Sequence, residues 1–272
     1  MIVIKNLGFN YKNKKIFNNL NLEILIGNWI SIIGKNGSGK STLAKILIGL
    51  LKQNEGQIFI DGRELIEDNL SEIRSLMGIV FQNPDYQFVG LDVKSDIAFG
   101  LENQLLSRKE MQKRIEKYSR MMNINHLLDK KPQDLSGGQK QKVAITSVLV
   151  MEPKIIIFDE PTSFLDPQGA KEIFDIIYNI SKEQNKILIT ITHDLNFALK
   201  SDKILLLEEG NLEQYWPLEL LENYDFAQKY FNYLPLSMKI NYELQKRLDS
   251  KDINKEFFNK LKDALWEYTL KM

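Results

Sequence analysis

"WISIIGKNGSGKSTL", residues 29–43, sets an apolar run directly before a glycine-rich turn and the start of a helical repeat. Trp29-Ile30-Ser31-Ile32-Ile33 is apolar apart from one serine, as a strand buried on both faces would be. Beyond the turn, Leu43, Ile46, Leu47 and Leu50 recur at helical spacing, so strand, glycine loop and helix follow in order. Gly34 to Ser41 fit G-x-x-x-x-G-K-[ST], a pattern whose glycines let successive backbone amides curl toward a phosphate tail without Cβ clashes. The positive N-terminal end of the helix adds to that attraction. Gly34, Lys35, Asn36, Gly37, Ser38 and Gly39 would form the cradle. Lys40 would reach β- and γ-phosphates, Ser41 would ligate Mg²⁺, and Thr42 completes the nucleotide-binding set.

A second buried run, Ile155-Ile156-Ile157-Phe158, ends in Asp159-Glu160. Four apolar residues bring a strand to the sheet edge, where Asp159 can hold Mg²⁺ through water. Glu160 adds a carboxylate suited to polarising an attacking water. Alone, such a strand end is equally well read as solvated acid; beside a phosphate loop the catalytic reading gains weight.

The rest of the chain agrees with one α/β body. Short apolar runs over 1–33, a stretch from Gly56 to Asp61, Met77 to Phe81 and Ile187 to Ile191 read as strands, and 168–183 as a helix. Joined as βαβ units, these predict a parallel sheet. Ser107-x-x-Glu110 and Ser136-x-x-Gln139 have capping-box spacing, within a helical stretch from about 92 to 150. After Gly210 the pattern changes, with Pro217, Pro235 and an apolar stripe of Phe257, Phe258, Leu261 and Leu265, so 217–272 is expected to be a helical extension.

Composition narrows the classes. Lys plus Arg and Asp plus Glu number 36 each among 272 residues, leaving no basic excess for nucleic acid. Without cysteine there are no disulfides or thiolate metal sites. No apolar run approaches membrane-spanning length, and the start, MIVIKNLGFNY, lacks signal-peptide regions. A cytoplasmic or membrane-peripheral protein is expected.

Leu135-Ser136-Gly137-Gly138-Gln139 resembles the signature motif of ATP-binding cassette (ABC) ATPases. Physically, Ser136 caps a helix whose N-terminus is opened by two glycines, giving a second anion site in one chain. The resemblance covers roughly 1–216 and implies a P-loop NTPase fold: a parallel core sheet, an antiparallel β subdomain and an inserted helical subdomain. It further implies head-to-tail dimers in which the signature of one cassette covers ATP held by the other. On the same resemblance, Tyr11 would stack on adenine, although an aromatic on a strand is otherwise core. Gln82 would sense Mg²⁺ and the γ-phosphate, Ser163-Phe164-Leu165-Asp166 would form the D-loop, and His193 would be the switch histidine near the γ-phosphate. His126, the other histidine, has no matched role. Lys142, where arginine is common, and Phe164, where a smaller residue is common, depart from the family.

"QNPDYQFVG", residues 82–90, is similar to the Q-loop region of energy-coupling factor (ECF) transporter ATPases, in particular the first of two paralogues. The implied partners are a paralogous ATPase, a transmembrane coupling subunit and a substrate-binding membrane component, at the cytoplasmic face of the membrane. Tyr86, Phe88 and Val89 would then line a groove for the membrane partner, or else fill the junction between sheet and helices. Two readings stay open: the ATPase of another importer (cobalt or nickel, or with a conventional binding protein), and a nucleotide-switched binding module.

Overall fold

The computed structural model describes residues 1–12, 14–104, 106–183, 185–249 and 255–271. It opens with β1 (Ile2–Tyr11), β2 (Lys14–Ile24) and β3 (Trp29–Ile33), then α1 (Lys40–Leu47), β4 (Glu55–Ile60), β5 (Arg63–Glu64), α2 (Leu70–Leu76) and β6 (Met77–Val80). Helices α3 (Val93–Glu102), α4 (Arg108–Met121) and α5 (Gly137–Leu149) precede β7 (Ile155–Asp159). After α6 (Pro167–Ser181) come β8 (Ile187–Ile191), α7 (Leu195–Ala198), β9 (Lys203–Glu208) and β10 (Asn211–Tyr215). Four helices close the chain: α8 (Pro217–Glu222), α9 (Tyr224–Lys229), α10 (Leu236–Asp249) and α11 (Lys255–Lys271).

One six-stranded sheet runs in the order β10-β9-β3-β8-β7-β6, parallel except where β10 pairs antiparallel with β9. A four-stranded antiparallel sheet, β2-β1-β4-β5, lies in a second layer. Alternation along the strands divides the core, because successive side chains point to opposite faces. Ile155 and Ile157 pack with α1 and the antiparallel sheet, whereas Ile156 and Phe158 pack with α3, α5 and α6. The expectation of strands buried on both faces is met in β3, β7 and β8, where every residue is buried.

Both expected capping boxes form, at Ser107 before α4 and at Ser136 before α5. The apolar stripe expected to end at Leu50 stops earlier. Gly49 takes φ +68°, its amide returns to the Ile46 carbonyl, and Leu50 lies outside α1 and exposed. A left-handed glycine at a helix end satisfies the last carbonyls in this way.

Helices α8 to α11 share a core with the cassette sheet: Leu220, Phe226, Tyr230, Met238 and Trp266 pack with Ile33, Leu195, Ile204 and Leu206. On α11, Phe258 is buried while Phe257 faces outward. Residues 250–254 and 272 of the expected extension lie outside the described residues. Among the described residues, no helix is long and apolar enough to cross a membrane.

Ile156 is fully buried on the face toward the helical layer. Ile156→Ala should cost about 2–5 kcal/mol, the range for emptying a close-packed core site. Urea denaturation checks this, and an unchanged midpoint would mean that the face is not close-packed.

Candidate nucleotide-binding site

The turn between β3 and α1 requires glycine at two places. Gly34 has φ +151°, and a Cβ there would sit 2.3 Å from the Leu207 carbonyl oxygen. Gly39 has φ +106°, and a Cβ would meet Ile16 at 2.8 Å and the Phe17 ring at 2.9 Å. Neighbouring strands therefore hold the loop tight. Lys40 is buried and donates to the carbonyls of Gly34 (2.9 Å) and Lys35 (3.1 Å). Burial lowers its ammonium pKa, while the nearby Glu160 and Asp159 carboxylates act to raise it.

Parallel pairing brings the end of β7 beside this loop. Ser41 donates its hydroxyl to Asp159 at 3.0 Å. Burial pushes the Asp159 carboxyl upward, against the Ser41 hydrogen bond and the charges of Lys45 and Lys40. Glu160, also buried, has φ +51°, a conformation uncommon outside glycine. Its amide donates to the Ile191 carbonyl at 2.9 Å, which ties the turn to β8. Its carboxylate lies 2.8 Å from His193 Nδ1. Gln82 donates to Ser163 Oγ at 3.4 Å, and Ser163 donates to the Glu160 carbonyl at 2.8 Å. Three expected elements thus meet around one strand end.

A cleft of about 470 Å³ gathers Tyr11, Asn36, Gly37, Gly39, Lys40, Ser41, Thr42, Gln82 and Glu160, with Lys14 and Ile16 from β2. Tyr11 is 43% exposed, and its ring meets that of Phe9 edge-on at 4.9 Å. Ser41, Asp159 and Gln82 offer hard oxygen donors, few in number. That donor set fits Mg²⁺, which keeps several waters and shares its shell with phosphates.

The segment 135–139 does not line this cleft. Ser136 Oγ accepts from the Gln139 amide at 3.4 Å, and Gln139 Oε1 accepts from the Ser136 amide at 3.0 Å. Gly137 opens instead on a second cleft of about 240 Å³, with Gln82, Asn83, Asp85, Lys140, Phe164 and Leu165. A Cβ on Gly138 would meet nothing within 4 Å. Leu135 is buried in the helical-layer core, and Asp166 caps α6 by accepting from the Gly169 amide at 2.7 Å. The phosphate loop and the segment 135–139 therefore line different clefts.

Past Gln82, the chain is pinned from beneath. Asp96, buried, accepts from the amides of Val89 (2.8 Å) and Gly90 (3.1 Å) and from Ser147 (3.1 Å). Gln87 accepts from the Phe81 amide at 3.3 Å and donates to the Ala144 carbonyl on α5 at 3.1 Å. Lys140 on α5 pairs with Asp85 at 2.7 Å. Tyr86 (85% exposed) and Val89 (63%) project outward, whereas Phe88 packs against the helical-layer core. Leu91 and Phe99 extend the exposed apolar surface. The sequence reading anticipated Leu91 as part of an apolar surface segment and missed Asp96 and Phe99, because an acid one turn into a helix and an isolated apolar residue carry no motif.

The ABC transporter family profile matches residues 17–163. The energy-coupling factor transporter ATP-binding protein EcfA of Aster yellows witches'-broom phytoplasma is 55% identical over 273 residues, covering all of both chains. EcfA1 of Ligilactobacillus salivarius is 44% identical over 269 residues, 98% of this chain and 95% of that protein. Among solved structures, CbiO1 of Clostridium perfringens, described as part of the ABC transporter complex CbiONQ, superposes with a TM-score of 0.76. It has 35% identity and covers 88% of this chain and 97% of its own. The dimeric post-hydrolysis cassette MJ0796 bound to ADP and Pi gives a TM-score of 0.73 at 32% identity, covering 80% and 99%.

The Asp159 carboxyl pKa is raised by folding, so its ionised form opposes folding once pH exceeds the unfolded value near 3.9. Asp159→Asn should therefore melt no lower than the parent at pH 7 while losing ATP turnover. Thermal melts from pH 4 to 8 check the sign, and a lower midpoint at pH 7 would contradict it.

Proposed function

The chain belongs to the ABC transporter family, grouping there with energy-coupling factor transporter ATP-binding proteins, and from that premise we propose that it is the ATP-hydrolysing subunit of such an importer. It works at the cytoplasmic face of the membrane as a peripheral subunit. It pairs with a paralogous ATPase and drives a transmembrane coupling subunit beside a substrate-binding membrane component. Residues 1–216 form the cassette and 217–272 an extension built onto it.

ATP enters the cleft between Tyr11, which offers its ring to adenine, and Lys40, which turns its ammonium to the β- and γ-phosphates. Backbone amides from Gly34 to Thr42 complete the cradle. Ser41, Asp159 and Gln82 would hold Mg²⁺, which would supply positive charge against the charge developing on the transferred phosphoryl group. Glu160 takes the proton of the attacking water, and His193, 2.8 Å from its carboxylate, fixes that oxygen's orientation and donates toward the γ-phosphate. The arrangement that favours hydrolysis over simple switching is this contact: a buried carboxylate in a left-handed backbone turn, held by a histidine beside the phosphate loop.

The signature segment faces away from its own cleft, so its anion site serves ATP held by another cassette. Closure then depends on ATP binding the closed pair better than ADP does. Gln82 lies between the two clefts, and the chain just beyond it carries Tyr86 and Val89 to the surface, where an apolar partner helix would seat.

Glu160→Gln should retain ATP binding and lower turnover about 10²- to 10⁴-fold, the usual worth of a general base. ATPase assays on the co-purified complex test it; undiminished hydrolysis would remove Glu160 from that role, and co-purification of a homodimer with two large permeases would replace the ECF reading. Replacing Tyr86 and Val89 with aspartate should abolish recovery of the membrane subunits while ATP binding stays intact. Phe88→Asp should instead destabilise the fold, since Phe88 packs inward.

A further inference from the structure

Helix α5 makes a row of polar contacts with the chain beyond Gln82, and one amide on it stands apart. Lys140 pairs with Asp85, the Ala144 carbonyl accepts from Gln87, and Ser147 donates to Asp96. Gln141, only 2% exposed, has a side-chain Nε2 that is shielded from water and has no hydrogen-bond partner among the described residues. A buried donor left unmade carries the full cost of its removal from water, so an orphan of this kind calls for a reason. Gln141 lines the cleft of about 240 Å³ that also holds Gln82 and Gly137.

The helical repeat fixes what lies across from it. Residues i and i+4 share a face, so Gln141 sits one turn along α5 from Gly137. The position a Cβ on Gly137 would take is 3.7 Å from the Phe164 carbonyl oxygen and 3.8 Å from the Leu165 side chain. Pro161, Phe164 and Leu165 line the same cleft as Gln141, which opens between α5 and the loop that follows β7. In that loop the Glu160 carbonyl is held by Ser163 and the Thr162 carbonyl by the Leu165 amide. The carbonyls of Pro161 and Phe164 are therefore the candidate acceptors. Pro161 directly follows Glu160, so a bond to this loop acts one residue from the candidate base.

We propose that Gln141 is a positioning residue that closes this cleft: when α5 moves toward the core sheet, its Nε2 donates to a carbonyl of the loop 161–165. The signature helix and the turn that carries Glu160 are then held as one unit. This rests on the ATPase reading given above and adds a residue to it. The contact lies within one chain and needs no group from a partner. In the open cleft the bond is unmade, and closing the cleft satisfies the donor, so Gln141 biases the chain toward the closed form. A buried amide donor left unsatisfied is worth about 5- to 100-fold in such an equilibrium.

The experiment uses the assembled transporter, in which this chain, having no cysteine of its own, carries nitroxide labels on Lys52→Cys and Gln112→Cys. Lys52 lies beyond α1 beside the core sheet and Gln112 on α4 in the helical layer, both exposed. In the Glu160→Gln background, ATP should shorten the distance between the labels, read by pulsed electron paramagnetic resonance. Gln141→Met, similar in length but without the amide, should lower the ratio of closed to open form with ATP about 5- to 100-fold. Without nucleotide the same variant should melt no lower than the parent, because an orphan donor has been removed. A lower melting midpoint would mean that Gln141 is already bonded in the open form, and an unchanged ratio that it makes no bond on closing. Either result overturns the proposal, as does a parent distance that ATP leaves unchanged. ATP turnover of the complex with Glu160 intact is measured alongside: its absence would remove the ATPase reading, while the label distances still decide the role of Gln141.

Discussion

The 3.0 Å hydrogen bond from Ser41 to Asp159 joins the first turn of α1 to the last residue of β7. It is possible only because β7 and β3 flank β8 in parallel register and end at the same edge of the sheet. Everything chemical in the molecule is stacked on that edge. Lys40 and Asp159 are both buried there, at a cost visible in their opposed pKa shifts: the lysine is pushed down and the carboxyl up. Neither shift stabilises the fold at neutral pH. Such a cluster of uncomfortable charges is what a site built for a polyanion and a divalent cation requires.

From that edge, contacts lead in two directions. One runs through Gln82, Ser163 and the Glu160 carbonyl, so the strand end that carries the candidate base is also bonded toward the Q-loop and D-loop. The other runs beyond Gln82, where Gln87, the Lys140–Asp85 pair and Asp96 bind the segment to α5 and α3. Helix α5 begins at the signature glycines. A displacement of that helix would therefore carry the surface at Tyr86 and Val89 with it, a physical link between the signature segment and that surface.

Much of this was legible in the sequence because it depends on local rules. A short run as rich in β-branched residues as Ile155–Phe158 reads as a strand buried on both faces, a glycine pair such as Gly34 and Gly39 answers to backbone angles, and a capping box needs only four residues. What was not legible depends on tertiary contact. Leu50 fits the apolar spacing of α1, yet the left-handed turn at Gly49 excludes it. Phe88 and Val89 are neighbours of similar character, and only the anchoring by Asp96 and the packing of the helical layer decide that one turns in and the other out. A cavity beside the phosphate loop likewise brings together residues as distant in sequence as Ile33 and Tyr233, which no local pattern relates.

Under the proposed function, the phosphate loop and the signature segment, which line different clefts, make hydrolysis a property of a pair of cassettes. The most direct measurement is ATP turnover per mole of this chain against its concentration, alone and with its co-expressed partner ATPase. Turnover should be negligible for the dilute single chain and should rise as pairs form, in step with the measured fraction of dimer. Constant turnover per chain down to concentrations at which only monomer remains would contradict a site completed by a second cassette.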